Sequence, residues 1–172
     1  MDSIIELGSI IYDFFTFLVI YFPKSCKCCC CQKKSRTRYT WKQINKFHKN
    51  PPKNKLYRSV ECQQNYTRHL NYLKKNRIDI NDDIKTKFFP YKSKSPDYIW
   101  VPNLFPYHLE YNIEHYLIWI NPFKDFTEEL DIDKIIKLNT NARQYCYFEN
   151  IDKNKSIKDI KHIHIFYRNE IY

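Results

Sequence analysis

The sequence predicts a single small α+β domain with a mixed or antiparallel sheet and a few helices, preceded by an apolar amino-terminal helix. Three observations support this fold class. The 172 residues include 15 Tyr and 12 Phe, which supply enough apolar surface for one core. Segments with helical and with strand periodicity follow one another without regular alternation, which favours α+β over a doubly wound sheet. The segment 4–22 is almost continuously apolar.

Residues 1–23 are predicted to form an apolar helix that associates with a membrane. Their polar side chains recur at spacings of four and three residues, so they form one narrow stripe on a helix. The start Met1-Asp2-Ser3 lacks the positive charge of a secretory signal. Such a helix can span the bilayer or lie in its interface, and the alternative is a helix packed against the domain.

Residues 24–38 form a cysteine-rich polybasic linker, which we expect to be lipidated. Cysteines beside a membrane are S-palmitoylation sites, and anionic lipids attract Lys and Arg. Because positive charge after the helix keeps that side in the cytosol, we expect a membrane-associated domain that faces the cytosol. The predicted lipidation sites are Cys26, Cys28, Cys29, Cys30 and Cys31.

The basic segment also has alternative interpretations. Residues 24–58 hold 12 of the 29 Lys and Arg residues and no Asp or Glu, so they could bind nucleic acid, with Tyr39 and Trp41 stacking on bases. We favour nucleic acid less than a membrane surface with anionic lipids. Consecutive cysteines can bind zinc, but no second cysteine pair completes such a site. The plainest alternative is a solvated linker.

Residues 39–172 are predicted to form the α+β domain. Thr40 suits the N-cap of its first helix and Thr127 the N-cap of its last one. Helices are predicted over 41–47, 60–75 and 128–138, whereas the polar segment 78–89 is predicted to be mostly loop. Apolar or alternating runs predict strands over 98–101, 115–120, 144–148 and 160–167.

Three histidines are candidate catalytic residues. His162 and His164 alternate with isoleucine in the last predicted strand, so both imidazoles lie on one face of the sheet. His115 begins an earlier strand, and the adjacent Glu114 points to the opposite face. Histidines that converge on one surface can transfer protons, bind phosphate or hold a metal. The sequence therefore predicts a site on this face.

Basic and polar residues near the predicted strand and helix ends suggest an anion pocket. Arg58 precedes a helix, Arg143 precedes the third strand and Asn150 follows it. Arginine binds phosphate through two parallel hydrogen bonds, so these side chains would hold a phosphate ester, a nucleotide or a nucleotide sugar. The alternative is a divalent metal bound by the three histidines and completed by Glu114 or Glu110.

Several short motifs occur in one order along residues 39–167. They are Leu56-Tyr57-Arg58-Ser59, Phe105-Pro106-Tyr107, Ile113-Glu114-His115, Phe148-Glu149-Asn150, Ser156-Ile157 and His162-Ile163-His164-Ile165-Phe166. In this order they resemble the N-acetylglucosamine-induced protein family, a domain of unknown function found in fungi, protists and large DNA viruses. The resemblance implies a shared fold and a shared site, to which it adds Glu114 and Ser156 as ligand-binding residues. It implies no established activity.

Together these features predict a membrane-tethered, cytosol-facing domain that binds or processes a small phosphorylated or sugar-linked ligand at a His/Arg cleft. The one glycine, Gly8, excludes glycine-rich phosphate loops. Phe166 stands where a histidine-triad hydrolase would have its third histidine, which excludes that class. The alternatives are a non-enzymatic membrane scaffold and a basic nucleic-acid-binding protein.

Overall fold

The computed structural model of the protein describes residues 37–127 and 129–168. In this part of the chain the helices are α1 (Trp41–Asn45), α2 (Val60–Lys75), α3 (Ile80–Phe88) and α4 (Ile132–Asn139). The strands are β1 (Tyr98–Pro102), β2 (Ile113–Ile120), β3 (Gln144–Phe148) and β4 (His162–Arg168). The predicted apolar helix at 1–23 and the predicted lipidation sites lie outside the described residues.

The strands form one antiparallel sheet in the order β1-β2-β4-β3. This confirms the predicted small α+β domain with an antiparallel sheet and a few helices. The central strands β2 and β4 pair from Ile113 opposite Arg168 to Trp119 opposite His162. Because other strands flank them and helices cover both faces, most of their side chains are buried, which explains their largely apolar sequences.

The first two helices begin at capping side chains. The Thr40 hydroxyl accepts the backbone N–H of Gln43, and the Gln43 side chain accepts the backbone N–H of Thr40, so this capping box satisfies two backbone donors at the start of α1. The Ser59 hydroxyl accepts the backbone N–H of Cys62 at the start of α2. The predicted cap of α1 and the predicted range of α2 are both confirmed.

Two segments differ from the prediction. Residues 78–89 contain α3 rather than loop, because the Asp79 carboxylate caps a turn whose Ile84 side chain is buried in the core. The last helix begins after Asp131, whose carboxylate accepts the N–H three residues along the chain, and not after Thr127. In both cases an aspartate cap determines where the helix begins.

Helices pack on both faces of the sheet. Ile44 of α1 and Ile84 of α3 pack on one face, which we call the histidine face, and Ile136 of α4 packs on the other, which we call the α4 face. Strand alternation places His115 and His164 on the histidine face, between two apolar clusters of the core. Among the helices of the described residues, none has both the length and the apolar character needed to cross a bilayer.

Candidate functional site

A network of hydrogen-bonding side chains lies buried on the histidine face. Its members, which we call the histidine network, are His115, His164, Asn150, Tyr107 and Asn103. His115 and His164 are only 5% and 6% exposed. The predicted histidines therefore meet, but inside the core rather than in an open cleft.

The register of the central strands brings the two imidazoles together. His115 pairs with Phe166 and His164 pairs with Leu117, so the two histidines are diagonal neighbours across β2 and β4. Nε2 of His115 lies 3.0 Å from Nδ1 of His164, which is a hydrogen-bond distance. The Tyr107 ring stacks on both imidazoles, with centroid distances of 5.0 and 5.4 Å.

Nitrogen donors surround both rings. The backbone N–H of Tyr107 donates to Nδ1 of His115 at 3.3 Å, and the Asn103 amide nitrogen lies 3.1 Å from Nε2 of the same ring. The Asn150 amide nitrogen lies 2.8 Å from Nε2 of His164 and donates to the Tyr107 hydroxyl at 3.2 Å. The network therefore joins both imidazoles to Tyr107, Asn103 and Asn150.

Burial keeps the histidines uncharged. It lowers the pKa of His115 well below its ordinary value, and the positive charge of Arg58 lowers it further. Burial also lowers the pKa of His164 well below its ordinary value, followed by the effects of His115, His162 and Arg58. Burial lowers the pKa of His162, whose Nδ1–H donates to the Ile160 carbonyl at 2.9 Å. At neutral pH these rings are hydrogen-bonding groups and not cations.

The histidine network holds a loop formed by residues 103–107. The Asn103 side-chain oxygen accepts the N–H of Phe105 at 2.9 Å, and the Asn103 backbone N–H donates to the His115 carbonyl at 2.8 Å. From the other side, Nε of Arg58 donates to the Phe105 carbonyl at 2.9 Å. The Arg58 guanidinium also lies 4.3 Å from the centre of the Tyr66 ring. The loop therefore connects the histidines to a half-buried arginine.

Arg58 belongs to a positively charged group nearer the surface. Lys55 donates to the Ser156 hydroxyl at 3.3 Å, and we call Lys55, Arg58 and Ser156 the anion face. Burial lowers the pKa of Lys55, and the charge of Arg58 lowers it further. Within residues 37–127 and 129–168, no carboxylate forms an ion pair with either cation.

Other predicted site residues lie elsewhere. Arg143 is exposed just before β3, whereas Phe148, which pairs with His164, is at the far end of that strand. Glu114 is exposed on the opposite face of β2, as its position predicts. Glu110 accepts the backbone N–H of Trp41. In the part of the chain that the structure describes, no group of three or more His, Cys, Asp or Glu residues is arranged to hold a metal ion.

The prediction missed three residues of this region. Lys55 lies in a run of lysines and has no distinguishing pattern. Asn103 and Tyr107 flank a Pro-containing turn, which the sequence analysis used only as a motif of the family resemblance. The spacing of Tyr107 and His115 is not periodic, since a turn separates them, so only the fold brings them together.

Comparisons with known proteins show the family and the fold. A family model described as a protein of unknown function (DUF3605) matches residues 40–168. The crystal structure of HTC1 is similar, with a TM-score of 0.55 and 16% sequence identity, over 77% of this chain and 86% of that chain. At that identity the similarity shows the fold alone. No curated protein matches the chain.

Proposed function

We propose a ligand-binding function for this chain, which belongs to the DUF3605 family of proteins of unknown function. The ligand is a small phosphorylated molecule, and the anion face binds it. One observation carries the proposal: the exposed Lys55 and the half-buried Arg58 repel each other, with no carboxylate paired to either among the described residues. A bound phosphate would remove that repulsion and accept hydrogen bonds from both side chains.

The geometry of Arg58 favours such a role. Its Nε–H is used by the Phe105 carbonyl, and its guanidinium lies over Tyr66, so the side chain is held in one orientation. A guanidinium that is fixed in this way loses little entropy when its remaining N–H groups bind an anion. The Ser156 hydroxyl beside Lys55 adds a neutral hydrogen-bonding group.

The histidines contribute to this site by holding the loop that orients Arg58. These features favour a ligand-binding role over a catalytic one. Because burial keeps His115 and His164 uncharged, they supply no cation to a phosphate. Their hydrogen bonds hold the 103–107 loop, whose Phe105 carbonyl orients Arg58. His162 keeps an unprotonated Nε2, as a general base requires, but it is only 5% exposed.

Membership in the N-acetylglucosamine-induced family is a further part of the proposal, and it suggests which ligand to test first. The probe is N-acetylglucosamine 6-phosphate, and the uncharged control compound is N-acetylglucosamine without the phosphate. The full chain is heated with each compound, since a ligand present at about 100 times its Kd stabilises the fold by about 2.7 kcal/mol.

Variants connect the thermal shift to the anion face. We expect the sugar phosphate to raise the Tm of the wild type, and Lys55→Gln and Arg58→Gln to abolish the rise. Arg143→Gln is the matched control because it removes an exposed arginine outside the anion face. An equal rise in all four proteins, or an equal rise with the unphosphorylated sugar, would contradict the proposal.

The proposal also places the domain at a membrane, facing the cytosol. Its basis is the sequence of residues 1–38, with an apolar segment, the cluster Cys26–Cys31 and basic residues in series. We expect thioester-linked acyl groups on the full chain expressed in eukaryotic cells, detected by hydroxylamine-dependent labelling of cysteine. Replacement of the five clustered cysteines by serine should abolish the signal and shift the chain from the membrane fraction. If the wild type and the five-serine variant were recovered equally in the membrane fraction, the proposal that lipidation attaches the domain to the membrane would be wrong.

Two residues that were expected to stack on bases in the alternative of nucleic-acid binding, Tyr39 and Trp41, make contacts within the domain. The Tyr39 ring lies tilted against the Tyr57 ring with a centroid distance of 4.4 Å, and both Tyr39 and Trp41 pack against the core. Rings used in this way are not free to stack on bases.

A further inference from the structure

The α4 face of the sheet is only partly covered in the described residues. Four strands at about 4.8 Å spacing make a sheet roughly 19 Å wide, whereas one helix is about 10 Å in diameter. The eight-residue α4 shares one apolar cluster with Ile118 of β2 and Ile165 of β4, and its Asp133 accepts hydrogen bonds from Tyr145 and Tyr147 of β3. Towards the edge strand β1, the side chains of Tyr98 and Trp100 are only partly buried.

A groove of about 790 Å³ lies beside α4 on this side. Tyr98 of β1 lines it, together with Ile135 and Leu138 of α4 and the aromatic side chains of Phe123 and Phe126. Leu138 is 71% exposed, although it follows the buried residues of α4 by only two positions. The groove thus has an apolar lining that nothing in the described residues covers.

The groove is also acidic, in a chain whose formal net charge is +10. Its carboxylates outnumber its two lysines, Lys124 and Lys134. Asp97 is paired with Lys124 at 2.6 Å, and Glu129 lies 4.0 Å from Lys161 outside the groove. The carboxylates are those of Asp97, Asp125, Glu129 and Asp131. An occupant that complements this lining combines apolar side chains with Lys or Arg.

We propose that this groove binds a basic amphipathic helix of a partner protein, which lies beside α4 and completes the helical layer on the sheet. Its apolar side chains contact Tyr98, Phe126 and Leu138, and its basic side chains face the acidic side of the groove at Asp125. This is the mode in which an amphipathic helix binds an apolar groove through residues spaced three and four apart. The site lies on the α4 face and is independent of the anion face.

Fluorescence anisotropy with the full chain tests the proposal. The probe is a labelled synthetic helix of about 15 residues, with Leu at helical spacing and Lys elsewhere, and its match has Glu in place of Lys. Leu138→Lys removes an exposed apolar side chain of the groove. Val60→Lys is the matched control, because it also replaces an exposed apolar side chain by a lysine, at a 54% exposed residue of α2 outside the groove. We expect Leu138→Lys to weaken binding of the Leu/Lys helix by about tenfold or more, and Val60→Lys to change it less than about twofold.

Three outcomes would overturn the proposal. The first is equal binding of the Leu/Lys helix to the two variants, and the second is equal binding of the Leu/Lys and Leu/Glu helices to the wild type. The third is a dimer in sedimentation velocity that Leu138→Lys dissociates, since the occupant would then be a second copy of this chain. A monomer that binds the Leu/Lys helix and loses it on Leu138→Lys supports the proposal.

Discussion

Acidification should destabilise the fold through its buried histidines. His115 and His164 are uncharged in the folded protein because burial lowers their pKa values, whereas in the unfolded chain each has an ordinary pKa of about 6.5. Below pH 6.5 the unfolded chain therefore binds more protons than the folded one, and the free energy of unfolding falls as the pH falls. More than about one pH unit above 6.5 the unfolded histidines are deprotonated as well, so they contribute almost no pH dependence there.

The size of the effect follows from proton linkage. Each histidine that stays unprotonated in the fold contributes a slope of about 1.4 kcal/mol per pH unit once the pH is well below 6.5. Two such residues give up to about 2.8 kcal/mol per pH unit, a large part of the stability of an ordinary domain. The free energy of unfolding stops falling on account of these histidines once the pH is below their lowered pKa values in the folded protein. Asp133, whose pKa is lowered by its hydrogen bonds to Lys49 and two tyrosines despite the opposing effect of burial, adds to the loss only at more acidic pH.

Urea unfolding of the full chain between pH 7.5 and 5 measures this slope. His115→Gln, His164→Gln and the double variant keep a hydrogen-bonding side chain of similar volume but cannot titrate. We expect each single variant to remove about half of the two-histidine slope and the double variant to remove it all, even where stability at pH 7.5 is lower. The slope that remains in the double variant comes from other groups, among them His162, whose pKa burial also lowers. The same slope in the wild type and the variants would refute the description of the histidines as buried and uncharged.

Two further predictions concern stability. Asn150→Ala leaves Nε2 of His164 and the Tyr107 hydroxyl without the amide that bonds both, so it should cost about 1 to 3 kcal/mol in denaturant unfolding at pH 7.5; no loss would show that the network is not closed through Asn150. Asp131→Ala removes the cap of α4 and should cost about 1 kcal/mol, whereas Thr127→Ala should be nearly neutral; the reverse order of Tm values would place the start of α4 at Thr127.

The periodicity of the strands was enough to predict part of the site. Alternation along β4 places His162 and His164 on one face, and the same rule places Glu114 and His115 on opposite faces of β2. These statements need only local geometry. They do not reveal that His115 and His164 are diagonal neighbours, because the register between two strands depends on pairing that no local pattern encodes.

The errors have local physical causes as well. The polar composition of 78–89 concealed α3, although Asp79 is a good N-cap and Ile84 supplies the buried contact. Arg58 and Arg143 were predicted to share one site because both are arginines next to predicted elements. The fold separates them, since Arg58 is held by Phe105 and Tyr66 while Arg143 is exposed at the start of β3.

The depth of the histidines was the least predictable property. A histidine that alternates with isoleucine is compatible with both an open cleft and a core. The aromatic rings of Tyr107, Phe148 and Phe166, which come from three separate segments, enclose His164 and decide between these possibilities. Burial of this kind depends on the whole fold, and it changes the role of the imidazoles from binding charge to holding a loop.

Calorimetric titration of N-acetylglucosamine 6-phosphate into the full chain tests the central claim most directly. The account predicts saturable binding to the wild type and to Arg143→Gln with equal Kd values. It predicts a Kd at least about tenfold weaker for Arg58→Gln, since a lost charge-assisted hydrogen bond costs about 1.5 to 3 kcal/mol. Equal binding by the Arg58→Gln and Arg143→Gln variants, or no heat from the wild type at millimolar ligand, would contradict the assignment of the anion face as a phosphate site.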